Sequence, residues 1–152
     1  MKEESWRVLV KTKPEKVYEI LTDMEEMKDW MTSHSQARYK FPLEEKLRPG
    51  SIVTMKSKYG LWTIVGKCIG LTENQEVRQE FIEGPLKGNE YWTVKPHRDG
   101  TLLEHRLVYE FPRLGDRIFW KLIGQRAHSK GKEIELEQIR VLAERDIAEK
   151  KE

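Results

Sequence analysis

Cysteine is almost missing from this 152-residue chain. The single Cys68 excludes an internal disulfide framework and fits a protein of the reducing cytoplasm. No apolar run is long enough to cross a bilayer, and Met1-Lys2-Glu3-Glu4 opens without the apolar core of a signal peptide. Neither sign of charge is in excess: 28 basic against 26 acidic residues leave +2. That balance, with no Lys/Arg run interleaved with aromatics, excludes an electrostatic nucleic-acid surface. There is no G-x-G-x-x-G, P-loop, H-E-x-x-H or C-x-x-C, so nucleotide and zinc chemistry have no sequence basis. The four histidines, His34, His97, His105 and His128, are scattered, and strand neighbours Glu104 and His105 point to opposite faces. No metal site and no cofactor is therefore expected, and no residue is assigned as catalytic.

What is present is a sequence of short elements closed by one long one. Trp6, Val8 and Val10 alternate in a strand over Ser5–Lys11. Thr12 and Glu15 form a capping-box pattern with Pro14 in the first turn, opening a helix that carries Val17, Ile20, Leu21 and Met24. Asp23 with Glu26 caps a second short helix, in which Trp30 and Met31 turn inward. A brief strand is expected at Ala37–Phe41. Further strands are expected at Ser51–Ser57, Leu61–Thr72, Glu76–Glu83, Tyr91–His97 and Thr101–Phe111. Asp99-Gly100 is the strongest hairpin signal. From Leu114 to Glu149 apolar residues recur at helical spacing (Leu114, Ile118, Phe119, Leu122, Ile123, Ala127, Ile134, Val141, Leu142), which predicts one long helix with that face buried.

The hairpins agree in parity. A two-residue Asp99-Gly100 turn sets Val94 against His105, Trp92 against Leu107 and, on the other face, Lys95 against Glu104. A turn at Glu73-Asn74 puts Val77, Gln79 and Phe81 on the face of Ile64, Gly66, Cys68 and Gly70. Val53 and Met55 join Trp62 and Ile64. Val65, Ile69 and Leu71 are left on the outer face, so either a bulge shifts that strand or a partner covers it.

This order resembles the helix-grip fold of the START-related superfamily, which includes polyketide cyclases and coenzyme-Q-binding START proteins. Pro14-Glu15-Lys16-Val17-Tyr18-Glu19-Ile20-Leu21-Thr22-Asp23-Met24 with Trp30 looks like the family's opening helix and its sequel. Arg48-Pro49-Gly50-Ser51 looks like its turn into the third strand. The expected class is α+β, with one domain over 1–152. A curved antiparallel sheet of about seven strands grips the long helix, and two short helices complete the fold. The resemblance implies an apolar cavity between sheet and helix. Gly124 and Gly131 depart from an unbroken helix and mark places where it can kink.

The inner face is mostly apolar, and the small residues Gly66, Cys68 and Gly70 leave volume there. Phe119 and Ile123 on the helix either fill that volume or line it. The candidate ligand-binding residues are Trp62, Ile64, Gln79, Phe81, Trp92, Val94, His105, Leu107, Tyr109, Phe119 and Ile123, with His105 and Tyr109 orienting a polar head. His105 also reads as a satisfied core histidine. The Glu83–Asn89 loop, with Gly84 and Gly88, can hinge over the mouth, and Leu86 can dip inward. Glu133, Glu135 and Glu137 read as a solvated helix face, and Cys68 as a small buried side chain. Three functions compete. The first is binding of a hydrophobic small molecule (lipid, quinone or polyketide-like) without stable membrane insertion. The second is a polyketide cyclase or dehydratase using His105 and Tyr109 as acid and base. The third is a homodimer formed through Val65, Ile69 and Leu71.

Overall fold

The alternating strands of the chain close on one another in sequence order, except that the first returns to pair with the last. A computed structural model describes residues 1–58 and 60–151, and the side chains of 1–58 and 60–145. Among the described residues the strands are β1 (Lys2–Val10), β2 (Ala37–Lys40), β3 (Ile52–Ser57), β4 (Thr63–Thr72), β5 (Glu76–Glu83), β6 (Lys87–His97) and β7 (Gly100–Glu110). They form one antiparallel sheet in the order β1-β7-β6-β5-β4-β3-β2. Between β1 and β2 stand helices α1 (Pro14–Thr22) and α2 (Met24–Met31). After β7 the chain is helical to Lys151, as α3 (Leu114–Phe119), a π-helical stretch (Trp120–Gly124) and α4 (Gln125–Lys151). Phe119, Trp120 and Gln125 keep helical dihedrals at the junctions, so the three pieces run on as one rod. This is the curled sheet and long terminal helix of a helix-grip fold.

The caps follow local chemistry. Asp23 Oδ1 accepts the Glu26 backbone N–H at 3.1 Å, as its side chain and spacing predict. The capping box expected at Thr12 does not form: α1 begins after Lys13 with no side-chain cap, and Pro14 occupies its first turn. The Thr12 carbonyl instead accepts the Thr101 hydroxyl at 2.7 Å, which ties the end of β1 to β7.

β6 and β7 keep the expected faces although their register shifts, whereas bulges in β4 turn part of that strand over. The β6–β7 turn falls one residue earlier, at Arg98-Asp99, with His97 opposite Gly100, so Trp92 faces His105 and Glu90 faces Leu107. Lys95 lies opposite Leu102, and Glu104 instead bonds Arg7 of β1 at 2.6 Å. The physical reason is at Gly100. Its φ is +139°, and a Cβ there would stand 2.2 Å from the Val10 carbonyl, so β7 needs its glycine where β1 approaches. A slip of two residues flips no side chain, which is why the faces survive. In β4–β5 a three-residue loop holds Asn74 at φ +60°, and register shifts fall between Val65 and Gly66 and between Cys68 and Gly70. Those bulges resolve the doubly apolar strand. Val65 is buried, Leu71 packs on the core, and Ile69 alone of the three is exposed.

The long helix turns inward only part of the face its apolar spacing predicts. Leu114, Ile118, Leu122, Ile123 and Val141 are exposed. Of the predicted set Leu142 is buried and Phe119, Ile123 and Ala127 turn toward the space under the sheet, while Trp120, Lys132, Glu135, Leu136, Ile139 and Ala143, which apolar spacing does not mark, are buried as well. The π-helical stretch inserts an extra residue and turns the helix N-terminal to it out of phase with the rest. The middle of the buried face is polar, so a hydrophobic periodicity cannot find it. The helical structure continues through both glycines, and Gly124 and Gly131 let other groups come close. A Cβ on Gly124 would stand 2.8 Å from the Trp120 ring, and one on Gly131 3.2 Å from the His34 ring.

Candidate functional site

Between the sheet and the rod lies a cavity of about 140 Å³. An engineered cavity of about that size takes up a benzene ring. Its lining draws on both buried clusters of the protein: Val53 and Met31 from the side of α1 and α2, and Ile64, Leu86, Leu107 and Trp120 from the other.

Aromatic rings build one part of the wall. Trp62 stacks on Phe111 at 5.2 Å between ring centres and meets Phe119 edge-on at 4.8 Å. Its Nε1 donates to Asp116 Oδ1 at 3.2 Å, which anchors the end of β4 to α3. Trp120 is held by its own N–H, which donates to the Tyr109 hydroxyl at 2.8 Å. That hydroxyl in turn donates to Glu4 at 3.1 Å.

The opposite part of the wall is polar. Glu135 of α4 accepts from Lys132 Nζ at 3.0 Å and from His34 Nε2 at 2.6 Å. The backbone N–H of Gln36 donates to His34 Nδ1 at 3.2 Å, which places the ring proton on Nε2, toward Glu135. The Tyr39 hydroxyl lies 3.4 Å from the same Nε2. Burial pushes the Glu135 carboxyl up, but the Lys132 ammonium and the His34 bond outweigh it and hold it below the usual range. Burial, and then the Glu135 charge, raise the Tyr39 phenol well above its ordinary value.

Glu90 of β6 forms the second polar station. Its Oε2 meets His105 Nε2 at 3.2 Å. Burial works against the carboxylate, yet the His105 hydrogen bond and nearby positive groups, Lys132 among them, bring Glu90 down to about 2. Burial, and then Lys132, lower His105, so the pair is an anionic Glu90 accepting from a neutral imidazole. His105 Nδ1 is buried without a partner among the described residues, which agrees with that state. His128 behaves alike: burial, then Lys132, bring it down to about 3, and its Nδ1 is also buried without a partner.

Of the residues expected to face a ligand, Trp62, Ile64, Gln79, Phe81, Leu107, Phe119 and Ile123 line this cavity. Trp92, Val94, His105 and Tyr109 do not. His105 is fully buried, its ring 4.4 Å from Trp92 and 5.7 Å from Trp6. Trp92 packs edge-on against Trp30 at 5.2 Å, and Val94 belongs to the same core. Burial brings the Tyr109 phenol up to about 12, and Glu4 and Trp120 engage its hydroxyl. The two groups expected to orient a polar head thus stand behind the wall.

Sequence reasoning missed His34, Tyr39, Glu90, His128, Lys132 and Glu135 as cavity residues. Two signals were available. Strand alternation extended back from Trp92 puts Glu90 and Gly88 inward. The expected loop Glu83–Asn89 hid this, because β6 starts at Lys87 and Gly88 pairs with Tyr109. Glu135 was read as solvated with Glu133 and Glu137. Those two are exposed, while Glu135 is 2% exposed and follows Lys132 by one helical turn. Leu86 does dip inward and lines the cavity, and Cys68 is a small buried side chain.

The family profile described as "Polyketide cyclase / dehydrase and lipid transport" matches residues 5–136. The chain belongs to that family. Its fold is shared by the KanY protein, known from a solution structure, at a TM-score of 0.74 and 15% identity, covering 94% of this chain and 97% of KanY. A protein of Rhizobium leguminosarum matches at TM-score 0.70 and 15% identity, over 95% of each chain. A protein of Thermus thermophilus matches at 0.67 and 18% identity, covering 93% of this chain and 98% of that one. No curated protein sequence matches the chain. Among the described residues no helix is long and apolar enough to cross a membrane, and no cluster of three metal-ligating side chains is present.

Proposed function

We propose that the protein binds a hydrophobic small molecule with a polar end, of lipid, quinone or polyketide-like kind, in the cavity between the sheet and the long helix. The apolar body lies against Trp62, Phe81, Leu107, Phe119, Trp120 and Ile123, and the polar end turns toward Glu90 and Gln79. One observation supports this above the others. An apolar volume large enough for a ring persists beneath the helix, and a few polar side chains, Gln79, Glu90 and His128 among them, share its lining. Burying about 300 Å² of apolar ligand surface is worth roughly 7 kcal/mol before ordering costs, so the polar end has to add to it for micromolar binding. The test is titration of a hydrophobic fluorescent probe into the folded protein, with mass spectrometry of whatever co-purifies. Saturable binding displaced by small apolar compounds is expected. A native protein that takes up no probe sinks the reading.

A cyclase- or dehydratase-type activity is the second reading, and the buried carboxylates favour it. Its acid and base would be drawn from Glu90, Glu135 and His34 rather than from His105 and Tyr109, which stand off the cavity. Turnover of a poly-keto substrate that survives both Glu90→Gln and Glu135→Gln would remove those residues from any such role.

A further inference from the structure

The charges buried around the cavity do not cancel. Four charged side chains line it: Lys58, Glu90, Lys132 and Glu135. Lys58 is exposed to solvent, where water screens its charge. That leaves two carboxylates against one ammonium, an excess of one negative charge.

Hydrogen-bond geometry shows that the histidines do not make up the difference. His34 has its proton on Nε2, because Nδ1 accepts the Gln36 N–H. His105 donates from Nε2 to Glu90. A second proton on its Nδ1 would be buried with no acceptor among the described residues. His128 has the same orphan Nδ1, and Lys132 lies one helical turn away. Lys132 itself is committed to Glu135 at 3.0 Å, its Nζ 5.0 Å from the centre of the Trp92 ring.

The unmet charge has an address. Both oxygens of Glu135 are engaged, Oε1 by Lys132 and Oε2 by His34. Glu90 Oε2 is engaged by His105, but no described residue donates to its Oε1. Gln79 lies directly across the β5–β6 ladder from Glu90, lines the same cavity, and its side-chain amide has no described hydrogen-bond partner. An open carboxylate oxygen beside an open amide carbonyl, walled by Trp62, Phe81 and Phe119, is a site for a donor with positive charge.

We infer that the occupant of this cavity carries a cationic, hydrogen-bond-donating amine head, seated against Glu90 Oε1 and the Gln79 amide. The inference rests on the proposed ligand site and specifies its chemistry. A carboxylate or phosphate head would bring like charge to a partly buried anion, and a hydroxyl would donate without neutralising it.

Three probes of one skeleton decide the matter: octylamine, 1-octanol and octanoate, titrated by calorimetry and by tryptophan fluorescence at about pH 7.5, where the amine is charged. Octylamine should bind at least about tenfold more tightly than octanol, the size of one charge-assisted hydrogen bond, and octanoate more weakly than either. Glu90→Gln keeps the shape and removes the charge. It should bring the amine and alcohol affinities together while octanol binding stays within about twofold. Equal affinities in the wild type, or octanoate binding first, overturn the amine head and leave the cavity reading intact. Failure of all three to bind overturns both. Should Glu90→Gln not fold, the wild-type ranking decides alone.

Discussion

His34 Nε2 and Glu135 Oε2 meet at 2.6 Å from positions 101 residues apart, and both side chains are only 3% exposed. This contact joins the segment after α2 to the middle of α4 across the cavity's polar wall. Gly131 makes it possible, since a Cβ there would press on the His34 ring at 3.2 Å. Buried hydrogen bonds to a carboxylate add little net stability when complete and cost much when broken.

Breaking the network on one side should therefore show strongly. Lys132→Met removes the ammonium and leaves Glu90 and Glu135 facing each other's charge across a low-dielectric wall. The variant should lose about 3 kcal/mol of unfolding free energy in urea titration. A loss below about 0.5 kcal/mol would mean that water already solvates these carboxylates.

Stability should fall with acid, and in two stages. The unfolded chain protonates His128 near its ordinary value of 6.5, but the folded chain does so only near 3. Between those values the unfolded state holds more protons, so stability present above pH 6.5 drains away as pH falls. His105, lowered by burial, acts in the same direction. Glu90 titrates near 4.5 unfolded and near 2 folded, so its contribution, about 3 kcal/mol in order of magnitude, disappears as pH drops below 4.5. Melting temperatures across pH 8 to 3 check this. His128→Gln should flatten the upper stage and Glu90→Gln the lower, and a wild-type curve level from pH 7 to 4 contradicts both assignments.

Gly66 offers a way to close the cavity without disturbing the sheet. Its Cβ position has nothing nearer than the Val53 carbonyl at 3.9 Å and Gln79 Oε1 at 4.0 Å. Its φ lies outside the positive range, and valine suits a strand. Gly66→Val should keep the fold, with a melting temperature within a few degrees, and weaken hydrophobic-probe binding at least about tenfold. Unchanged probe affinity would place the binding site elsewhere.

Gly88 should behave as a sheet residue and not as a hinge. It holds φ +141° opposite Tyr109, and a Cβ would stand 2.0 Å from the Val108 carbonyl. Gly88→Ala should cost about 2 kcal/mol or more, with faster hydrogen exchange at the β6–β7 end. A variant as stable as wild type that only slows probe entry would restore the hinge.

Strand alternation, turn residues and caps act over a few neighbours. They were enough to order the elements, to set which side of most strands turns inward, and to mark Trp62, Phe81 and Leu107 as wall. The two-residue slip of β6 against β7 shows the limit. Alternation sees parity and not register, and what set the register was β1 pressing on Gly100, a contact between residues about ninety positions apart. The helix shows the same limit more sharply. Apolar spacing marked Leu114, Ile118 and Leu122, yet all three face solvent.

Local sequence thus decided the kind of protein: a curled antiparallel sheet closed by a terminal helix, with small residues inside it. Tertiary structure alone decided the chemistry of the cavity. His34, Glu90, Lys132 and Glu135 are ordinary surface residues by type. A Glu or Lys is buried only when a charged or hydrogen-bonding partner is delivered to it, and here the partners come from the segment after α2, from β6 and β7, and from α4. No periodicity within one element carries that information, because the energy that holds each charge inside belongs to a pair.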